Sequence, residues 1–100
     1  MTAQEYLKIV LKKKKMTQAD LLRVMNKLGM GEKGKLINRQ HISNNLNGIR
    51  PLSPYMARKF EIALDLEKYS VVRMVGFPNG NIKMKMLEDL DKFEEIKGKN

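Results

Sequence analysis

Asn38-Arg39-Gln40-His41-Ile42-Ser43-Asn44-Asn45-Leu46-Asn47-Gly48 is the stretch on which the reading of this chain turns. Ile42 and Leu46 lie four apart, the spacing that puts two apolar side chains on one face of a helix. Asn38 is a good N-cap, and Gly48 stands where a helix end wants a left-handed residue. Every other position from Arg39 to Asn47 is polar and none is acidic. Asparagine is a poor helix former, so three of them in one short helix point to use of their hydrogen-bonding groups.

Working outward, the pattern predicts an all-α chain of five or six helices without a convincing strand. Upstream, Thr17 caps a helix with Asp20 in its first turn and Leu21, Met25 and Leu28 as the buried stripe. A first helix, Ala3 to Lys14, carries Tyr6, Leu7, Val10 and Leu11 on one face. Between the second and third helices, Gly29 to Ile37 is rich in glycine and charge and reads as an exposed loop that includes Met30.

Downstream, Ser53-Pro54 opens a fourth helix with Ala57, Phe60, Ala63 and Leu64 on one side. A short fifth, Glu67 to Val75, buries Val71, Val72 and Val75. After the breaker Gly76-Phe77-Pro78-Asn79-Gly80, a charged amphipathic helix repeats Ile82, Met86, Leu90 and Phe93 and ends at Gly98. Residues 82–86 also alternate with period two, so a hairpin strand against Val71 to Val75 competes with helix there.

Composition narrows the function. One hundred residues make one domain with an appendage, here 1–78 followed by 79–100. There are no cysteines, so disulfides, thiolate zinc sites and thiol nucleophiles are excluded. A single histidine, His41, cannot build a metal site, and no cofactor, small-molecule substrate or catalytic constellation stands out. No apolar run is long enough for a bilayer, and the lysines follow the first apolar stretch rather than precede it, so the expectation is a cytoplasmic protein with no membrane partner.

The formal net charge is +9, unevenly spread. Residues 1–60 hold thirteen Lys/Arg against three acids, while 61–100 hold seven against eight. Attraction to a polyanion therefore belongs to the first sixty residues. A helix that enters the major groove needs short polar side chains on its exposed turns and an apolar strip behind them. Arginine suits guanine, and asparagine or glutamine pairs with adenine. The 39–47 helix meets that description.

The ordered set Thr17-Gln18-Ala19-Asp20-Leu21, Ile42-Ser43, Leu46-Asn47-Gly48, Ile49-Arg50-Pro51-Leu52-Ser53, Met56-Ala57 and Ala63-Leu64-Asp65-Leu66 resembles the Cro/CI repressor-like (XRE-type) helix-turn-helix family. The likeness covers roughly residues 3 to 78 and extends to the closing Gly76-Phe77. It implies a compact five-helix DNA-binding domain with an added C-terminal amphipathic helix. It also implies a transcriptional regulator, a repressor of phage or mobile-element origin or an antitoxin-like autoregulator. Carried over residue by residue, it assigns base reading to Arg39, Gln40 and Asn44, with His41 and Ser43 second. It assigns backbone contacts to Thr17, Gln18, Asn47 and Arg50. Such domains bind double-stranded DNA as dimers, for which Ile82, Met86, Leu90 and Phe93 offer one surface, unless that edge packs back on its own domain.

Two departures from the family pattern stand out. The loop before the third helix is about ten residues longer than usual, and places Lys33 and Lys35 along the phosphates or else tilts the helix. Leu22 replaces a small alanine, which widens the helix approach or turns the side chain outward. Asn47 serves equally as a helix-end cap, and Lys12 to Lys15 as a solvated helix end. The eight methionines read as core filler. A protein-binding adaptor or inhibitor built on the same scaffold is the rival reading.

Overall fold

Four short polar side chains decide where the long helices begin. In a computed structural model that describes residues 1–98, Thr2, Thr17, Asn38 and Ser53 each accept from the backbone N–H three residues on, at 3.1, 3.1, 2.7 and 3.1 Å. They start α1 (Ala3–Lys13), α2 (Gln18–Lys27), α3 (Arg39–Leu46) and α4 (Pro54–Ala63). At α2 the cap is reciprocal, since the Asp20 carboxylate accepts from the Thr17 N–H at 2.9 Å.

The same four helices end in one way. The residue after each C-cap is left-handed, and the next N–H reaches back to a carbonyl in the last turn: Met16 to Leu11, Met30 to Met25, Ile49 to Asn44 and Leu66 to Glu61. Gly29 and Gly48 take that conformation without strain; Lys15 (φ 55°) and Asp65 (φ 57°) hold it as side-chain-bearing residues. This motif pairs the second residue past the cap with an apolar one in the last turn. That is why Met30 is only 1% exposed, packed into the core with Met25, and not part of an exposed loop as its neighbours suggested.

After α4 come α5 (Val72–Val75), α6 (Asn81–Glu88) and α7 (Asp91–Gly98). Among the described residues there is no strand, and no helix is long and apolar enough to cross a membrane. The alternation at 82–86 is helical. Val71 and Val72 are buried as expected, but Val75 is only half-buried and the helix starts five residues later than Glu67. Leu22 lies half-buried against the core.

The C-terminal segment departs most from expectation. It is two helices, broken at Asp89–Leu90, so Ile82, Met86, Leu90 and Phe93 do not form one stripe. Ile82 is 80% exposed and Met86 is exposed, while Leu90 is half-buried and Phe93 is in the core at 9%. The side chain that anchors α6 is Leu87, fully buried. A partner-facing surface therefore cannot include Phe93. The break restarts the helical phase and lets both Leu87 and Phe93 face inward.

Among the described residues, twenty buried apolar ones form a single cluster drawn from all seven helices and from the turns between them. Inside it are two charged groups: Arg58 at 1% and Glu61 at 0% exposure. Glu61 accepts from Arg58 Nη1 at 3.1 Å and from the backbone N–H groups of Tyr69, Val71 and Val72 at 2.7, 2.8 and 2.9 Å. Arg58 Nη2 also donates to Asp91 at 3.1 Å and to Glu94, both on α7. Lys97 then closes the carboxyl end of α4 by donating to the Ile62 and Ala63 carbonyls at 2.9 and 2.8 Å.

Removing one partner of a buried ion pair leaves the other charge uncompensated, at a cost of about 3–5 kcal/mol. Glu61→Ala also orphans three backbone N–H groups, two of them buried, so its stability to urea should fall by at least that amount, and replacing Arg58 with methionine in the same chain should not restore it. Burial alone would raise the Asp91 carboxyl, but the hydrogen bonds from Lys68 and Arg58 outweigh it and hold the group below its usual value. A carboxyl depressed in the fold stabilises above its unfolded pKa of about 3.9 and loses that contribution as pH falls through the folded value. Unfolding midpoints measured by circular dichroism should thus stay level from pH 7 to 5 and drop below about pH 4, with a shallower drop in Asp91→Asn.

Candidate nucleic-acid interface

Successive residues of an α-helix turn by about 100°, and α3 places its side chains accordingly. Ile42 and Leu46 face the core, joined by Asn45, which is buried and donates to the His41 carbonyl at 2.9 Å. Opposite them stand Gln40, Asn44 and Asn47, with Ser43 beside them. Arg39 and His41 leave the helix on its two flanks. Of the three asparagines within the helix and at its end, Asn45 is thus structural and the other two are outward.

The outward groups are already paired one turn apart. Gln40 Nε2 donates to Asn44 Oδ1 at 2.8 Å, and Asn47 Nδ2 donates to Ser43 Oγ at 3.1 Å. The first pairing leaves the Gln40 carbonyl oxygen and the Asn44 amino group unused, one acceptor and one donor on a pre-set spacing. That is the complement of an adenine edge in the major groove. Asn47 is also the C-cap residue of α3, so its cap role and its outward amide coexist.

The backbone-contact candidates fall into three groups. Thr17 and Gln18 lie at the start of α2, where the capping box uses the N–H groups of Thr17 and Asp20. The Gln18 and Ala19 N–H groups have no intrahelical acceptor. The Asp20 carboxyl is held below its usual value, first by the Thr17 backbone N–H, then by the Thr17 hydroxyl and by Arg23 at 3.0 Å. Arg50 is exposed just past the end of α3. Thr17 and Gln18 make no hydrogen bond to α3 among the described residues.

Lys33 and Lys35 are exposed on the long loop, around a 3-10 turn at Glu32–Gly34. Lys33 is left-handed (φ 52°), and a Cβ on Gly31 would sit 1.7 Å from the Lys35 carbonyl oxygen, so this tight turn requires glycine there. Lys35 shares a groove with His41, Met56 and Lys59, on the flank of α3 and away from Gln40 and Asn44. His41 therefore belongs to that groove rather than to the centre of the outward face.

What holds α3 in place is a residue the sequence pattern did not single out. Asn26, on α2, donates to the Ile37 carbonyl at 3.1 Å and accepts from the Ile37 N–H at 2.7 Å. This two-bond clasp ties the end of the loop to α2 one residue before the Asn38 cap. Its only trace in the sequence is an asparagine on the inner half of α2, between Met25 and Leu28.

No family model, no curated protein and no solved structure matches the chain. Loss of the clasp should loosen the loop before it loosens the core. Asn26→Ala is expected to cost about 1–3 kcal/mol and to raise amide hydrogen exchange from residues 30 to 38 well before that of α1 or α4.

Proposed function

We propose that this chain is a sequence-specific DNA-binding transcriptional regulator of Cro/CI repressor-like (XRE-type) character, reading the major groove with α3. The observation that carries the reading is the outward face of α3: an acid-free set of amides and a hydroxyl, pre-paired at 2.8 and 3.1 Å, with Arg39 at its edge. Direct readout demands such a surface, and an ordinary solvated helix does not produce it. The excess of thirteen Lys/Arg over three acids in residues 1–60 supplies the sequence-independent attraction.

In this reading Gln40 and Asn44 act together on one base pair, Arg39 reads a neighbouring one, and Ser43 and His41 reach bases or phosphates at the margins. Thr17, Gln18, Asn47 and Arg50 hold the sugar–phosphate backbone, and Lys33 and Lys35 extend the positive field. A homodimer on two half-sites about one helical turn apart fits the proposal. Of the residues assigned to its surface, Ile82 and Met86 are exposed. The role is that of a cytoplasmic repressor of phage, mobile-element or antitoxin type.

Selection of duplexes from a random pool tests this directly. One motif should be enriched, and log affinity for it should fall steeply with log salt. Arg39→Ala, Gln40→Ala and Asn44→Ala should each relax base preference at one position by about 1–3 kcal/mol. The Gln40 and Asn44 losses should be non-additive, because the two amides act as a unit. Lys33→Ala and Lys35→Ala should weaken all sequences alike. Enrichment of nothing at modest salt overturns the proposal and leaves the protein-binding adaptor as the better reading.

A further inference from the structure

Beside α3 runs a groove that the outward amide face does not use. Its walls are the 30–38 loop, the His41 flank of α3 and one side of α4, and it encloses about 250 Å³. Past His41, Met56 and Lys59 it opens into a second lobe of about 530 Å³, bordered by Arg50, Tyr55 and Met86. Met30, Leu36, Ile37 and Met56 make much of the first lobe apolar. Leu36 is 79% exposed, a large aliphatic side chain held at the rim by a loop whose end is clasped to α2.

Charge gives the groove a sign. Lys35, Lys59 and Arg50 border it, against the one carboxylate of Glu32. Lys59 is decisive. It is half-buried, yet it donates no hydrogen bond and makes no ion pair among the described residues. The other charged groups that lean inward (Asp20, Arg58, Glu61, Asp91 and Lys97) are all matched by a partner. Burial pulls the Lys59 ammonium below its usual pKa; Glu32 acts on it from beyond ion-pair distance, and Lys92 opposes that help. A cation with too little compensation, beside an apolar wall, suits a ligand that has both an anionic head and an apolar body. A bare phosphate satisfies only half of that.

We propose that this groove binds a small organic anion, its acidic head on Lys59 and its apolar body against Leu36, Ile37 and Met56, and that filling it changes how α3 engages a duplex. The second clause rests on the DNA-binding reading; the first does not. The link is physical, because the groove is lined both by Asn38, the N-cap of α3, and by His41 within it. A ligand that bears on the loop shifts α3 by its differential affinity for the loop's arrangements.

The probe is 1-anilinonaphthalene-8-sulfonate, an aryl sulfonate, titrated into the folded full chain. Saturable binding to one site is expected, with amide shifts confined to residues 30–41 and 56–59. Lys59→Met should weaken it at least tenfold, about the worth of one hydrogen bond to a charged group. Leu36→Glu, a change to an exposed side chain that the core does not need, should weaken it similarly. The neutral N-phenyl-1-naphthylamine should bind at least tenfold more weakly.

Unchanged affinity in both variants, shifts spread over the whole chain, or displacement of the sulfonate by equimolar inorganic phosphate would each overturn the binding clause. With a selected duplex in hand, the sulfonate should alter duplex affinity about fivefold or more. No change there overturns the regulatory clause alone. If no duplex is ever selected, the DNA-binding reading fails while the titration still decides whether the groove takes an organic anion.

Discussion

One buried carboxylate organises the second half of this protein. Glu61 sits at zero exposure on α4 and gathers the N–H groups of Tyr69, Val71 and Val72 around its two oxygens. A bare carboxylate in that position is prohibitive; with three backbone donors and Arg58 it becomes the point on which the turn into α5 is wound. Arg58 passes the requirement on, because its two remaining nitrogens need acceptors and find them in Asp91 and Glu94. The burial of α7 thus depends on a charge buried three helices earlier. Tyr69, left-handed at φ 69°, keeps its ring near both Arg58 and Lys68 and edge-on to Phe77 at 5.2 Å.

Local signals in the sequence were enough for the first four helices. Thr17, Asn38 and Ser53 mark their starts, and Gly29 and Gly48 mark two of their ends. They act within a few residues of backbone, so no tertiary knowledge is needed to use them. The C-terminal segment was less legible for a corresponding reason. Ile82, Met86, Leu90 and Phe93 satisfy a single-helix period, but the core selects Leu87 and Phe93. Only the position of Arg58, more than thirty residues away, says that Asp91 and Glu94 must face it from a new helix. The hint lay in α4 itself, where Arg58 and Glu61 stand among the inward positions Ala57, Phe60 and Leu64.

The outward face of α3 divides along the same line. Periodicity alone puts Gln40, Asn44 and Asn47 opposite Ile42 and Leu46, and the hydrogen-bonded pairing adds only the spacing. The inward turn of Asn45 and the assignment of His41 to a groove depend on what α4 and the long loop bring alongside. Met30 shows how a local motif can mislead: surrounded by glycine and charge, it is buried because the helix end needs an apolar partner for Met25. Lys59 carried no signal at all, since its half-burial comes from the groove that α4 forms with the long loop.

The clasp between Asn26 and Ile37 has a consequence for how such a chain can change. By closing the loop on α2 directly before the Asn38 cap, it separates the length of the connection from the placement of α3. Between the buried Met30 and the clasped Ile37, the residues at the 3-10 turn are bounded at both ends and exposed in the middle. Insertions or deletions there would be absorbed as a change in the size of a bubble, without propagating to the next helix. A connection of this length is then neutral hardware, open to acquiring a second task.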